Sequence, residues 1–583
     1  MSQAASPAEQ LIARGAALHQ AGRLDEAAAL YRQALELDPA STQTLTLLGT
    51  IHLQRGAYEE GLKWIDTSLA QAPAQPIALN SRAAAFNQMG RFAEALRDAE
   101  QALTLKLDFA AAHTNRGDAL RGIGRLQEAL VSYQSAARVD PRYIPAFNNA
   151  GALLLMLGAP DSALGLYDHV ARLFPDSADA HANRAAALLA LRDFAGALAA
   201  SERALSLKAN HAQAHQNRAV ALRDLGRFDE SLAAFDAALA AAPRSAQAHN
   251  YRAALLERLE RFDEAAKGYD NAAVLGDREA PLNMALLHLK RGNFTAGWRA
   301  YEARWSASRM PRRETGAPLW LGETPLQGKT LLLHAEQGFG DTIMFARYAL
   351  LAKAQGARVL LEVQPPLASL MKSLDSGIEI NSRGSPLPAH DLQTPLMSAP
   401  LAFRTTLETI PAKTPYLSAD PAKVEASRTK LGERTRPRIG FVLSGGAGAR
   451  NDHERSIDAA VFAPLFDLGA EFHCLQPDLR DADRAALASR ANVTPHHPAD
   501  FAETAALASC MDLIVTVDTA TAHLAGALNL PMRIMLSKVA DYRWLLDRED
   551  SPWHPSAKLY RQAQPNDWAP VIARIAQDIK ALR

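Results

Sequence analysis

"GRLDEA", residues 22–27, returns as "GRFAEA" at 90–95, as "GRLQEA" at 124–129 and as "GRFDES" at 226–231. The copies share a 34-residue period, and self-similarity of that length marks a repeat architecture rather than one globular core. Downstream in each unit come an aromatic or small residue, an alanine and often a proline, as in Tyr31, Ala34 and Pro39, or Tyr133, Ala136 and Pro141, or Phe235, Ala238 and Pro243. Working outward, eight units begin near Ala8, Thr42, Pro76, Ala110, Ile144, Ala178, Ala212 and Ala246. A shortened ninth runs from about Ala280 to Ala303, with Gly292, Trp298 and Tyr301 in the equivalent places. Small residues such as Gly49, Gly117, Gly151 and Ala185 let two helices of a unit cross closely, while Leu48, Phe92, Leu120 and Tyr167 fill the gaps. One unit cannot bury its apolar face alone, so neighbours stack into a superhelix with a groove.

These units resemble the tetratricopeptide repeat. One column does not fit packing: Asn115, Asn149, Asn183 and Asn217 stand two residues before the small position in successive units. Asparagine is a mediocre helix former, and its amide carries both donor and acceptor. A ladder of four could grip the backbone of an extended acceptor polypeptide, and it resembles the asparagine ladder in the repeats of protein O-GlcNAc transferases. The competing reading is a bond from each amide to the neighbouring repeat. His113, His181, His215 and His249 share another column and read as packing residues.

Repeat character stops near Trp305, and Pro311, Arg312, Arg313, Gly316 and Pro318 read as a linker. From Leu326 onward strands and helices alternate. Strands are expected at Thr330–His334, Arg358–Val363, Ile378–Asn381, Arg438–Leu443, Glu471–Leu475, Leu513–Val517 and Arg533–Leu536. Helices are expected at Asp341–Gln355, Pro366–Leu374, Ala459–Phe466, Phe501–Cys510, Ala520–Leu528 and Trp568–Leu582. Such alternation implies parallel, doubly wound sheets. The expected organisation is an all-α repeat superhelix over 1–305, a linker over 306–325, and an α/β part with one lobe over 326–430 and a second over 431–583. Two Rossmann-like lobes around a cleft resemble the GT-B architecture of nucleotide-sugar glycosyltransferases.

Composition narrows the partners. The 583 residues hold 63 Lys plus Arg and 63 Asp plus Glu, and a net charge of zero argues against a general nucleic-acid binder. Two cysteines, Cys474 and Cys510, make neither a disulfide framework nor a thiolate zinc site. The opening MSQAASPAEQ has no basic n-region and no apolar h-region, and no apolar run approaches the roughly 18 residues of a membrane span. A cytoplasmic location without membrane insertion is the expectation.

Four features fall at the carboxyl ends of strands, where open α/β sheets bind ligands. Gly338 and Gly340 allow a tight turn before Asp341, which opens a helix. The glycine-rich loop from Ser444 to Ser456 carries Arg450 and Arg455, each able to pair two phosphate oxygens. Gln476 follows the next strand and could bond a ribose or base. Finally Asp518, Thr519, Ala520 and Thr521 join a buried strand to a small-residue helix that carries His523. Helix starts present unpaired N–H groups and partial positive charge, which suits a phosphate; the alternative is plain N-capping by Asp518 or Thr519.

The stretch from Trp320 to Arg583 resembles the ADP-heptose–lipopolysaccharide heptosyltransferase family and its relatives fused to tetratricopeptide repeats, among them bacterial protein and flagellin glycosyltransferases. The resemblance rests on Gly340-Asp341, on Asp518-Thr519-Ala520 and on the run from His523 to Leu528, with Ala520 where the family pattern usually has glycine. It implies that Asp341 is the catalytic base and that Asp518, Thr519 and Ala520 form the donor-phosphate site. The expected activity is that of an inverting, metal-independent O-glycosyltransferase. It would use a nucleotide-sugar and no further cofactor, and act on Ser or Thr of a protein acceptor, flagellin first. No Asp-x-Asp metal motif lies at a strand end. The alternatives are a lipopolysaccharide-type glycosyltransferase, a non-catalytic scaffold with a degenerate transferase domain, and a nucleotide-sugar hydrolase or epimerase.

Overall fold

The computed structural model describes residues 6–307, 312–445 and 452–582, without the side chains of His453 and Glu454. Pro311 of the expected linker, and Gly446, Gly448 and Arg450 of the expected glycine-rich loop, lie outside the described residues. The chain divides into two compact units, 1–248 and 249–583.

The first unit is built from helix pairs, of which Ala110–Gly122 and Leu126–Val139 are representative. Gly124 ends the first helix of that pair with φ +85°, the left-handed conformation that closes a helix without a Cβ clash. A Cβ on Gly117 would lie 2.5 Å from the Tyr133 ring, and one on Gly151 would lie 2.5 Å from the Tyr167 ring. Each aromatic residue of the second helix thus covers the small residue of the first. Ion pairs repeat as well: Arg82 meets Asp66 at 2.7 Å and Arg184 meets Asp168 at 2.6 Å, each partner 16 residues earlier. His113, His181 and His215 each donate through Nε2 to the carbonyl oxygen six residues earlier, at 3.0, 2.9 and 2.8 Å, and so hold the turn before their helix.

The second unit contains the last repeat helices, Phe262–Val274, Ala280–Lys290 and Phe294–Tyr301, together with two α/β lobes. Repeat helices reach Tyr301, yet compactness divides the chain earlier than the expected boundary at 305. Phe294, Trp298 and Tyr301 belong to the same buried cluster as Phe345, Tyr542 and Trp553 of the lobes. Trp298 alone meets Phe345 at 6.0 Å and Tyr542 at 5.8 Å, edge to face.

The first lobe is a parallel sheet of β1 (Thr330–His334), β2 (Arg358–Val363), β3 (Ile378–Ser382) and β4 (Leu392–Pro395), in the order β3-β2-β1-β4. The second holds β5 (Arg438–Val442), β6 (Glu471–Cys474), β7 (Val493–Pro495), β8 (Leu513–Val517), β9 (Met532–Leu536) and β10 (Ala557–Arg561), in the order β10-β9-β8-β5-β6-β7. That is the doubly wound order, with its switch point between β5 and β8, where open sheets take their ligands. Buried Leu, Val, Ile and Phe fill both lobes because parallel strands are covered on both faces.

Several expectations are corrected. The helix expected over Asp341–Gln355 is two helices, Phe339–Phe345 and Tyr348–Ala354, parted where Arg347 turns inward. Arg347 is buried and donates to the carbonyl oxygens of Met344, Pro411 and Trp553 and to the Tyr416 hydroxyl, which break the run. Strands β4, β7 and β10 were not expected, since LQTP, VTP and AKLYR are too short or too polar to show a strand pattern. The helices Pro421–Leu431 and Asp481–Ala488 were missed for the same lack of an apolar run. No described helix is long and apolar enough to cross a membrane.

Candidate active site

Asp341 is the third residue of its helix, and its Oδ2 accepts from the Gly338 N–H at 3.0 Å, so it caps the turn it stands on. Its Oδ1 is engaged from the other lobe, where Arg543 Nη2 donates to it. Arg543 also donates through Nη1 to Asp541 Oδ1 at 2.7 Å, and its guanidinium lies 4.5 Å from the Tyr542 ring centre. Flanked by the charges of Asp541 and Asp341, Arg543 is held well above the usual arginine range despite its burial.

Gly340 explains how the lobes meet so closely. A Cβ there would lie 2.9 Å from His523 Cδ2 and 3.4 Å from Ala520 Cα. The helix Phe339–Phe345 therefore packs directly on the helix Ala520–Ala527. Between the lobes lies a cavity of about 680 Å³, lined on one side by Gly338, Gly340 and Asp341 and on the other by Arg455, Asp518 and Thr519. Ser444, Gln476, Ala520, Thr521 and His523 line it too, so every expected base and donor residue borders one space.

Their hydrogen-bond partners differ from residue to residue. Thr519 is the N-cap residue by position, but no side chain accepts from the first turn of Ala520–Ala527; its hydroxyl instead meets that of Thr516 at 3.1 Å. The helix start thus lacks a side-chain cap, although the Ala522 N–H donates to the Thr519 carbonyl at 3.0 Å. Asp518 stands at the edge of the cavity with its carboxyl group. Burial, with the charge of Asp541 nearby, pushes that carboxyl up to about 6, and its carbonyl oxygen accepts from Arg455 Nη1 at 3.0 Å. Asp518 thus holds Arg455 through its backbone carbonyl. Gln476 is a structural clip. Its Oε1 accepts from the N–H groups of Leu443 and Ser444, both at 3.2 Å, and its Nε2 donates to Ser444 Oγ at 2.6 Å and to Asp478 O at 2.5 Å. With its amide saturated, Gln476 is not free to read a base, whereas Ser444 accepts through Oγ and keeps its O–H to donate. His523 stacks on Trp544 with ring centres 5.4 Å apart and meets His554 at 3.0 Å between Nδ1 and Nε2. Burial and the charges of Arg543, Arg347 and Arg455 hold it well below the usual histidine range, so it stays neutral.

The asparagine column lies in the first unit. Asn115 Nδ2 donates to Asn80 Oδ1 at 2.8 Å, Asn149 to Asp118 Oδ1 at 3.0 Å, Asn183 to Asn148 Oδ1 at 3.0 Å and Asn217 to Ala182 O at 2.8 Å. Each amide therefore commits a donor to the preceding repeat, and the ladder is in the first place a repeat-to-repeat seam.

Residues 18–85, 82–144 and 217–283 match tetratricopeptide repeats, and residues 472–535 match glycosyltransferase family 9 (heptosyltransferase). The chain joins tetratricopeptide repeats to a glycosyltransferase family 9 domain. It is 28% identical over 332 residues to Protein FlbA of Caulobacter vibrioides, across 51% of this chain and 54% of that protein. The chain thus spans about half the length of the curated relative it matches. Among solved structures it is similar to a tetratricopeptide repeat protein from Parabacteroides merdae, at 20% identity and a TM-score of 0.34, over 40% of this chain and 93% of that one. It is also similar to yeast Tom70, at 17% identity and a TM-score of 0.37, over 50% and 66%.

In the glycosyltransferase domain, sequence reasoning missed Arg543 and Asp541, which line the cavity beside Asp341. The signal was available. Asp541-Tyr542-Arg543-Trp544 follows β9, another strand whose carboxyl end faces the same edge, and Arg543 is a charged residue between two aromatic ones. The mouth residues Phe339 and Phe501, with ring centres 5.2 Å apart, were missed because their pairing joins separate lobes.

Proposed function

We propose that the protein is an inverting O-glycosyltransferase that moves a sugar from a nucleotide-sugar to a Ser or Thr hydroxyl of a protein held by the repeats. The observation that carries this reading is the shared cavity: a carboxylate from one lobe faces an uncapped helix start and an arginine from the other across about 680 Å³. Asp341 accepts the hydroxyl proton as the acceptor oxygen attacks the anomeric carbon from the face opposite the leaving group. Two of the carboxylate's roughly four acceptor positions are taken, by Gly338 and Arg543, which leaves room for a hydroxyl. General-base help of this kind is worth about 10²–10⁴-fold. The bond from the anomeric carbon to the nucleoside diphosphate breaks, and its electron pair stays on the departing phosphate oxygen. The N–H groups at the start of Ala520–Ala527 and the Arg455 guanidinium stabilise that charge, the part a metal ion plays in other transferases.

Flagellin is the first acceptor candidate and the cytoplasm the compartment, both on the family resemblance. One observation favours a second reading. Because the asparagine donors bridge repeats, the acceptor could be held by the lobes instead, and a lipid-linked sugar then becomes an acceptor candidate. Intact-mass analysis of co-purifying proteins, from cells with the wild-type chain and with Asp341→Asn, tests the proposal. A sugar-sized mass gain that depends on Asp341 is expected; a partner of equal mass in both preparations refutes protein glycosylation.

A further inference from the structure

We propose that Arg543 is a positioning residue shared by the two halves of the reaction: it pairs with the carboxylate of Asp341, and a nucleoside diphosphate in the same cavity draws on the same guanidinium. The inference deepens the donor-site reading above and rests on it.

Arg543 sits where the two needs meet. Its side chain is only 11% exposed, and both of its ion-pair partners are cavity-lining carboxylates, Asp341 from one lobe and Asp541 from its own. Its Nε–H has no partner among the described residues. Two carboxylates on one guanidinium already offset its charge, so an anion that approaches its remaining N–H groups meets their repulsion and competes with them for the arginine. Asp541 is the harder to displace. It accepts both Arg543 Nη1 at 2.7 Å and the Arg543 backbone N–H at 3.0 Å, which fixes it to the turn of Tyr542–Trp544. Asp341 is the weaker hold, because it belongs to the other lobe and Gly338 retains its second oxygen at 3.0 Å whatever Arg543 does. A guanidinium takes phosphate as readily as carboxylate, with the same two-pronged geometry.

Two consequences follow. Donor binding that draws Arg543 away frees a further lone pair of Asp341 beside those already open to the acceptor hydroxyl, so proton acceptance is favoured when the donor is in place. Conversely, the charge of Asp341 works against diphosphate binding, because it occupies the arginine. Such coupling must be reciprocal in free energy.

The full-length protein, titrated calorimetrically with ADP, GDP, UDP and dTDP, supplies the test. Asp341→Asn keeps the bond from Gly338 but gives up the ion pair. It is expected to bind the preferred diphosphate more tightly than wild type, by about fivefold or more, within the range of ordinary site coupling. Loss of a nearby negative charge would by itself favour an anion, so the same substitution is also made in an Arg543→Gln background. There the gain is expected to shrink by about fivefold or more, since the competition is gone. Arg543→Lys, which retains charge without the fork, covers the case in which Arg543→Gln fails to fold; in it the Asp341→Asn gain is likewise expected to shrink. Equal gains with and without the arginine overturn the inference and leave the donor site standing. An Asp341→Asn protein that binds no more tightly than wild type overturns it as well. Absence of binding by wild type to all four diphosphates overturns the donor-site reading itself, and this inference with it.

Discussion

Tyr133 and Tyr301 both stand eighth in the second helix of a tetratricopeptide unit, Leu126–Val139 in one case and Phe294–Tyr301 in the other. In the first unit Tyr133 covers Gly117 of its own repeat, and its hydroxyl donates to Asp118 Oδ1 at 2.7 Å. In the second unit Tyr301 accepts from Gln337 Nε2 at 3.2 Å, on the loop that leads to Asp341, and its ring lies 6.2 Å from that of Tyr542. The same repeat position closes a local pair in one region and supports the transferase loops in the other. The last repeat has kept its helices and changed its partners. A repeat in the first unit contacts mainly its neighbours, so its stability is local. The last repeat is part of a core that also holds the lobes, so damage there should reach the site.

The largest test of that contrast is Trp298→Ala. Trp298 is 2% exposed and touches Phe294, Tyr301, Phe345, Tyr542 and Trp553. Its truncation is expected to cost the second unit about 3–5 kcal/mol. Hydrogen exchange should show lost protection at β1 and at Ala520–Ala527, with residues 6–245 unchanged. Equal loss in both units would break the comparison. A fragment ending at Ser245, before the helix Ala246–Arg258, should keep its helical signal, whereas one ending at Trp305 exposes Phe294, Trp298 and Tyr301 and should aggregate.

Next comes Asp341→Asn, which leaves the cap on Gly338 but removes proton acceptance. Sugar transfer is expected to fall by at least about a hundredfold, without a change in the unfolding of either unit. Retained transfer would move the base elsewhere. Arg455→Ala and Thr519→Ala touch the same unit more lightly. Arg455 supplies a charge-assisted bond, and its loss should weaken nucleotide binding by about 1–3 kcal/mol, measured by calorimetry. Thr519→Ala sharpens the point. Its hydroxyl meets Thr516, so a smaller loss than that of Arg455→Ala is expected if the backbone N–H groups are the anion ligands.

The smallest effect belongs to the first unit. Asn183→Ala removes one bond to Asn148, worth about 0.5–1.5 kcal/mol, partly offset by the better helix propensity of alanine. Chemical denaturation should show that loss in the first unit alone, with nucleotide affinity unchanged. If stability holds and acceptor affinity drops instead, the column serves the peptide after all.

The repeats could be read because a period of 34 residues turns one packing solution into many copies, and each copy is confirmed by the next. Strands β1, β2, β5 and β8 could be read because buried parallel strands are nearly continuous apolar runs. Their carboxyl ends then pointed to Asp341, Arg455 and Asp518–Thr521. What those residues do could not be read. Gln476 and His523 are polar at strand or helix ends and look like ligands, yet one is saturated by its own neighbours and the other is buried, stacked and neutral.

By itself, then, the sequence determined the repeat helices, the two doubly wound lobes and the edge at which a ligand would lie. Each of these follows from local periodicity and from the direction of parallel strands. Only the tertiary structure decided that the last repeat belongs with the lobes, that the asparagines bridge repeats, and that Arg543 faces Asp341 from 202 residues away. Those facts depend on how separate elements pack. An ion pair between two lobes leaves no periodic trace in either segment, and the glycine that lets the lobes approach, Gly340, shows its purpose only when His523 and Ala520 stand against it.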